Sequence, residues 1–390
     1  MRSTPRLLVA TAGIAVILGM AGCGSAGSSG GGGTTSATAP ASQLAGQASP
    51  SPAELVPAGF AAASVTFVSA DEAFVLGTAR CTNGSCTLIA HSMDRGTTWR
   101  QLAAPPVATS QPGGTGVWGI RFASPDHGFV FGHDLWETTD GGGHWSRAAV
   151  PGGPVFSLAI VQGEVLALTG SCSEQEGCTG PGTLLRRPLG GGSWQPVSQA
   201  TVTSLVPDPT DDIATQAGVA AVLDGNSVVV TSDGGLTTAR HAGPCRTPDM
   251  GESASVAVIA PNRLGVLCAG EGAAGHTLKT VYVSSDLGAT WVTAGMPFST
   301  GDGGILAAAG PGQMVVATTS AANWIYYSGD GAARWQGSVT ENDGGQGWAD
   351  LGFTTATDGV VIEGPALVSG RVGRLLFTSD GGQTWQPVTF

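Results

Sequence analysis

The chain has 390 residues, 63 of them Gly, with only 11% charged residues and a formal net charge of −12. Lys279 is the only lysine, and an acidic surface repels nucleic acid and anionic lipid head groups, so a nucleic-acid partner is excluded. Any attachment to a membrane must then come from something other than charge.

The first expected element is an export signal. Arg2 and Arg6 form a basic start, and residues 7–20 are an apolar run too short to span a bilayer. The run Met20-Ala21-Gly22-Cys23 resembles a lipobox, with Met where Leu is favoured. Residues 1–22 are therefore read as a lipoprotein signal peptide and Cys23 as the lipidated residue; an ordinary signal peptide is the alternative. Residues 23–53 follow as a linker, almost entirely Gly, Ser, Ala, Thr and Pro up to residue 52. Such a stretch buries no core and acts as a flexible tether. The expectation is an exported protein anchored to the outer face of the cell membrane. Loss of Arg2 and Arg6 with the signal takes the net charge from −12 to −14.

Residues 54–390 carry one turn seven times. The runs are SMDRGTTW (92–99), TTDGGGHW (138–145), RPLGGGSW (187–194), TSDGGLTT (231–238), SSDLGATW (284–291), SGDGAARW (328–335) and TSDGGQTW (378–385). Asp leads Trp by five residues in Asp94/Trp99, Asp140/Trp145, Asp286/Trp291, Asp330/Trp335 and Asp380/Trp385. Asp233 lacks its Trp, and Trp194 lacks its Asp, with Leu189 in that place. A repeat of about 40–50 residues built from short strands is the mark of a β-propeller. The expected fold is all-β: a seven-bladed β-propeller over 54–390. In each turn the Asp carboxylate accepts from turn amides, the glycines supply positive φ, and the indole packs between blades. These glycines are not phosphate cradles, since no Walker or dinucleotide context surrounds them.

Blade 1 reads as strands at 64–69, 73–78, 86–92 and 98–102, and blade 2 repeats the pattern. Both end blades own four strands, so the ring closes without strand exchange, or else residues 55–60 add to the last blade. The long segments 105–116, 171–181, 241–253 and 338–347 all fall on the face opposite the repeated turn. Long loops on a rigid ring are the default place for recognition.

Six cysteines remain after Cys23. In an exported chain they read as disulfides, paired by proximity as Cys81 with Cys86, Cys172 with Cys178, and Cys245 with Cys268. No C-x-x-C pair or histidine cluster points to zinc. The run PDPTDD (207–212) groups three acids but lacks the spacing of a calcium loop. His127 and His133 flank one strand of blade 2 without a metal-spaced partner. No metal or cofactor is expected.

Four tryptophans lie outside the turn: Trp118, Trp136, Trp324 and Trp348. Trp118 and Trp348 fall near the start of inner strands at the channel mouth, and Trp324 near a second-to-third loop. Aromatics held on a rigid ring serve as partner hot spots or stack on sugars, and they also pack blades. Arg121, on an inner strand beside Trp118, is the best basic candidate, with a salt bridge to a neighbouring blade as its other reading. Trp118, Arg121, Trp324 and Trp348 are thus the candidate binding residues.

The turn S-x-D-x-G-x-T-W is the Asp-box, or BNR repeat. From about residue 65 to the end, the chain resembles the superfamily of sialidases, sortilin-type receptors and photosystem II assembly-factor-like proteins. FASPDHGFVFG (122–132) before an Asp-box is most similar to the assembly-factor-like branch, a look shared by exported actinobacterial lipoproteins. The resemblance implies a propeller, and function must be argued from the site. A sialidase would need three arginines on the substrate carboxylate, a tyrosine nucleophile activated by Glu, and an acid. The early R-I-P run of that family is absent, and Tyr282, Tyr326 and Tyr327 all precede turns as strand residues. No catalytic residue is assigned. The reading is a monomeric binding or assembly scaffold for an envelope protein or glycan, with a glycan-processing hydrolase on the same fold as the alternative.

Overall fold

The structure, a computed structural model, describes residues 54–82, 84–171, 181–202, 213–245, 254–341, 344–367 and 371–390. Among the described residues, twenty-eight strands form seven four-stranded antiparallel sheets, each built from consecutive strands. The blades span residues 61–102, 117–148, 155–202, 214–242, 254–295, 302–341 and 348–387. Their first strands surround the channel: Ala61–Phe67, Val117–Phe122, Val155–Val161, Ala214–Gln216, Ala254–Ala260, Asp302–Gly310 and Trp348–Phe353. Each apolar core lies between neighbouring blades. Phe74, Leu76 and Ile89 of blade 1, for example, pack on Ile120, Phe122 and Val130 of blade 2.

The repeated turn has the geometry its composition implies. In Thr378–Asp380, Thr378 Oγ1 donates to Asp380 Oδ1 at 2.8 Å and accepts from Gly382 N at 3.0 Å. Asp380 Oδ1 also accepts from Thr384 N at 2.9 Å, and Oδ2 from Thr384 Oγ1 at 2.7 Å. The amide bond from the fourth residue on recurs at Asp94, Asp140, Asp233, Asp286 and Asp330. The fourth strand starts after the tryptophan, at Arg100 in blade 1, and not before it. Trp99 still belongs to the turn, because its indole N–H donates to Gly96 O at 3.0 Å.

Blade 3 solves the missing Asp differently. Arg187 stands where the other copies have Ser or Thr. It is buried and reaches into blade 2, where both oxygens of Glu137 accept from it at 3.0 Å. Its guanidinium lies over the rings of Trp194, at 5.0 Å, and Phe129, at 5.7 Å. His127 completes the cluster with a 2.8 Å bond to Glu137 Oε1.

The ring closes by contacts between blades 7 and 1 without exchanging a strand. Ala62 N donates to Gly373 O at 2.6 Å, Ala366 N donates to Ala62 O at 2.8 Å, and Arg95 pairs with Asp358 at 2.8 Å. Gly373 is needed there: its φ is +56°, and a Cβ would sit 2.6 Å from Ala62 N. Residues 55–60 do not add to the last blade. Gln101 N donates to Glu54 O at 2.8 Å and Leu55 bridges Arg100, so the open edge of blade 1 takes this segment. Phe60 then packs on Phe390, 4.7 Å away, beneath the end of blade 7.

Candidate functional site

The channel is drawn together by polar groups on the first strands. Ser64 Oγ accepts from Ile120 N at 3.2 Å, Ser157 Oγ from Ile213 N at 3.0 Å, and Ser255 Oγ from Leu306 N at 3.0 Å. Asp350 plays this part at the seam, accepting from Val65 N at 2.8 Å. Each bond crosses from one blade to another and satisfies an amide in, or one residue before, an inner strand.

Arg121 lies in this wall. Its Nη2 donates to Asp350 Oδ1 at 2.9 Å and its Nη1 to Ile120 O at 2.8 Å, linking blade 2 to blade 7 across blade 1. The channel encloses a cavity of about 300 Å³, and Arg121 and Asp350 are the only ionisable residues among its described lining. The one guanidinium expected to greet a ligand is thus engaged by a carboxylate the sequence did not single out. Asp350 occupies the left-handed region at φ 50°, where a β-strand pattern gives no signal.

Trp118 and Trp348 start inner strands as expected, but both are buried. Trp118 Nε1 donates to Phe156 O of blade 3 at 3.1 Å, and Trp348 Nε1 to Thr318 O of blade 6 at 2.8 Å. Neither offers a free ring face; the role these two play is blade packing. Their apolar bodies sit in the inter-blade cores, and their donors are already spent. Trp324 is different. It is half-buried on the third strand of blade 6, Asn323–Ser328, near the second-to-third loop.

The loop-rich face carries two disulfides, Cys81–Cys86 in a hairpin and Cys245–Cys268 between the blade 4–5 connection and blade 5. Cys23, Cys172, Cys178 and the acidic run at 207–212 lie outside the described residues.

The lone lysine is the feature composition flagged without explaining. Lys279 has no exposed surface, and its Nζ donates to four carbonyls: Thr277 at 3.1 Å, Ser299 at 3.3 Å, Thr300 at 3.1 Å and Gly301 at 2.7 Å. Burial pulls its pKa down to about 8, with Asp302 opposing, so it remains an ammonium at neutral pH. The ammonium ties the blade 5–6 connection to blade 5. Tyr326 closes the other side, bonded through its hydroxyl to Thr300 Oγ1 and raised to about 12 by burial.

Among the described residues, two carboxylates share one arginine at Arg95, with Asp71 and Asp358 on the face of the repeated turn, and again at Arg374. Glu341 and Glu363 both engage Arg374, at 3.0 and 2.5 Å. Glu363 is fully buried and also accepts from Asn323 Nδ2 at 2.9 Å, so the pair cannot flank a glycosidic bond.

No family model matches the chain, and no curated protein matches it. Among solved structures it is similar to YCF48 bound to a D1 peptide, at 16% identity over 85% of this chain and 94% of that chain, with a TM-score of 0.51. It is similar to YCF48 from Cyanidioschyzon merolae, at 17% identity over 85% of this chain and 96% of that chain, TM-score 0.52. The WD40 repeats of RRP9 align at 10% identity over 84% of this chain and 96% of that chain, TM-score 0.53. At such identities the likeness shows the fold alone: the chain is a seven-bladed β-propeller.

Proposed function

We propose that the chain is a lipid-anchored, extracytoplasmic binding scaffold that offers its loop-rich face to a protein of the envelope. The observation that carries this reading is the channel. Its described ionisable residues, Arg121 and Asp350, neutralise each other and link blades, so the site is built for rigidity and not for proton transfer. Two disulfides stiffen the loop-rich face, which lowers the entropy lost when a partner docks. YCF48, similar in fold, has been solved bound to a D1 peptide, which supports a protein as the partner. The anchor would be Cys23, with residues 24–53 as the tether.

The test is crosslinking in living cells, followed by purification of the anchored protein. A stoichiometric envelope protein, crosslinked to residues on the loop-rich face, is the expected result. Recovery of the chain alone would sink the scaffold reading. In the same cells Cys23→Ser is expected to release the chain or strand its precursor; unchanged membrane attachment would reject lipidation.

A further inference from the structure

The blade 5–6 cleft carries aromatic surface that neither the channel nor the core uses. Phe298 is 50% exposed, yet it sits on a connection held in place from both sides. Lys279 grips the carbonyls of Ser299, Thr300 and Gly301, and Thr277 N donates to Ser299 O at 3.0 Å. From blade 6, Thr318 Oγ1 donates to Thr300 O at 3.0 Å. An exposed ring on an immobilised backbone loses little entropy when it is covered, which is the character of a binding anchor.

A second ring lies beside it. Phe298 packs on Tyr326 with ring centroids 5.0 Å apart. Trp324 is two residues before Tyr326 on the same strand and therefore shares its face. Ile325 and Tyr327 point the other way, into the core shared with blade 7. Trp324 pairs across strands with Thr318 on one side and exposed Thr340 on the other. Gly337, opposite Tyr326, leaves open space where a side chain would stand. The indole N–H of Trp324 makes no hydrogen bond within the described protein; that of Trp136 makes none either but is buried, whereas those of Trp99, Trp118, Trp145, Trp291, Trp335, Trp348 and Trp385 each donate to a backbone carbonyl.

We propose that Phe298 and Trp324 form a stacking site for an uncharged sugar chain at the blade 5–6 edge of the loop-rich face, with Lys279 as its positioning residue. The chemistry of the rim selects this ligand. Phe298, Ser299, Trp324, Gly337 and Thr340 carry no charge, and the one ammonium nearby is spent on carbonyls. An anionic ligand would meet an acidic protein without a counter-charge, and the nearest carboxylates, Asp302 and Glu341, already face the ammonium of Lys279 and the guanidinium of Arg374. Pyranose rings present C–H faces to aromatic rings and hydroxyls to their surroundings. Two rings flanked by Ser299 and Thr340 hydroxyls and a free indole donor match both demands. The site lies at the edge of the loop-rich face, and the sugar titration reads it on the purified protein, apart from any protein docked on that face.

The probes are cellohexaose and chitohexaose, titrated calorimetrically against the detergent-solubilised full protein. At least one should saturate, and oligogalacturonate of the same length should bind at least tenfold more weakly. Trp324→Ala and Phe298→Ala should each weaken binding about tenfold, the scale of one lost aromatic contact, with unchanged melting temperature. Lys279→Met should weaken binding through a freed connection, seen as faster hydrogen exchange at residues 296–301. The proposal is overturned if neither neutral hexasaccharide saturates, or if binding survives both aromatic substitutions. It is equally overturned if a Leu/Phe-rich decapeptide binds at Trp324 and Phe298 while the sugars do not.

Discussion

The Asp350 carboxylate serves three blades with two oxygens: one accepts from Val65 N of blade 1, the other from Arg121 of blade 2, while the residue itself belongs to blade 7. Removing one member of such a shielded pair takes away a counter-charge of the other, which costs up to about 3–5 kcal/mol. Asp350→Ala is expected to destabilise by that amount in urea unfolding. Arg121→Met together with Asp350→Ala should cost less than the sum of the two single changes, since neither charge is then left behind. Strict additivity would show that the pair is not coupled. Trp385 is a residue of another kind. It is 8% exposed, in the core between blades 6 and 7, and donates to Gly382 O at 3.1 Å. Trp385→Ala should cost about 3–5 kcal/mol, the scale for a buried large aromatic. An unchanged melting curve would remove it from the core. The periodicity of the turn made Trp385 legible in the sequence, whereas Asp350 was not, because its partners are 285 and 229 residues away.

At the scale of the element, the repeated turn makes the propeller sensitive to acid. The side-chain hydroxyl of Thr290 holds Asp286 at about 2, and His144 does the same for Asp140, against an ordinary value of 3.8. Carboxylates lowered by folding stabilise the native state above their unfolded pKa, and that stabilisation is lost as pH falls through the folded value. Stability in urea is therefore expected to be level above about pH 4 and to fall between about pH 4 and pH 2. Asp286→Asn should make that fall shallower while lowering stability at neutral pH. A fall as steep as in the unmodified protein would mean that Asp286 is not part of it. The element also explains which tryptophans hold neighbouring blades. Trp99, Trp335 and Trp385 donate to their own turns, while Trp145 and Trp291 reach Ala103 and Ala242 of the preceding blade or its exit.

For the whole molecule, closure rests on side chains and short backbone contacts between blades 7 and 1. Arg95–Asp358 lies on the face of the repeated turn, Asp350 in the channel wall, and Ala62 with Ala366 and Gly373 towards the loops. Three levels of the seam are thus fastened, which holds the loop-rich face as one platform for the proposed partner.

Blade number, strand order and the repeated turn were readable from residues alone. Each blade is a local unit whose strands pair with their sequence neighbours, so a pattern repeated every 44 to 53 residues is sufficient to specify it. The disulfides Cys81–Cys86 and Cys245–Cys268 were readable for the same reason, since their partners are 5 and 23 residues apart. The candidate site was not. Whether Trp118, Trp324 or Trp348 faces a core or solvent depends on the neighbouring blade, and Arg121 is neutralised by a residue from the far side of the seam. The meaning of the single lysine likewise required a carbonyl cage built by a connection 20 residues downstream. Closing the ring brings together groups that no local spacing relates, and burial and charge pairing are settled only there.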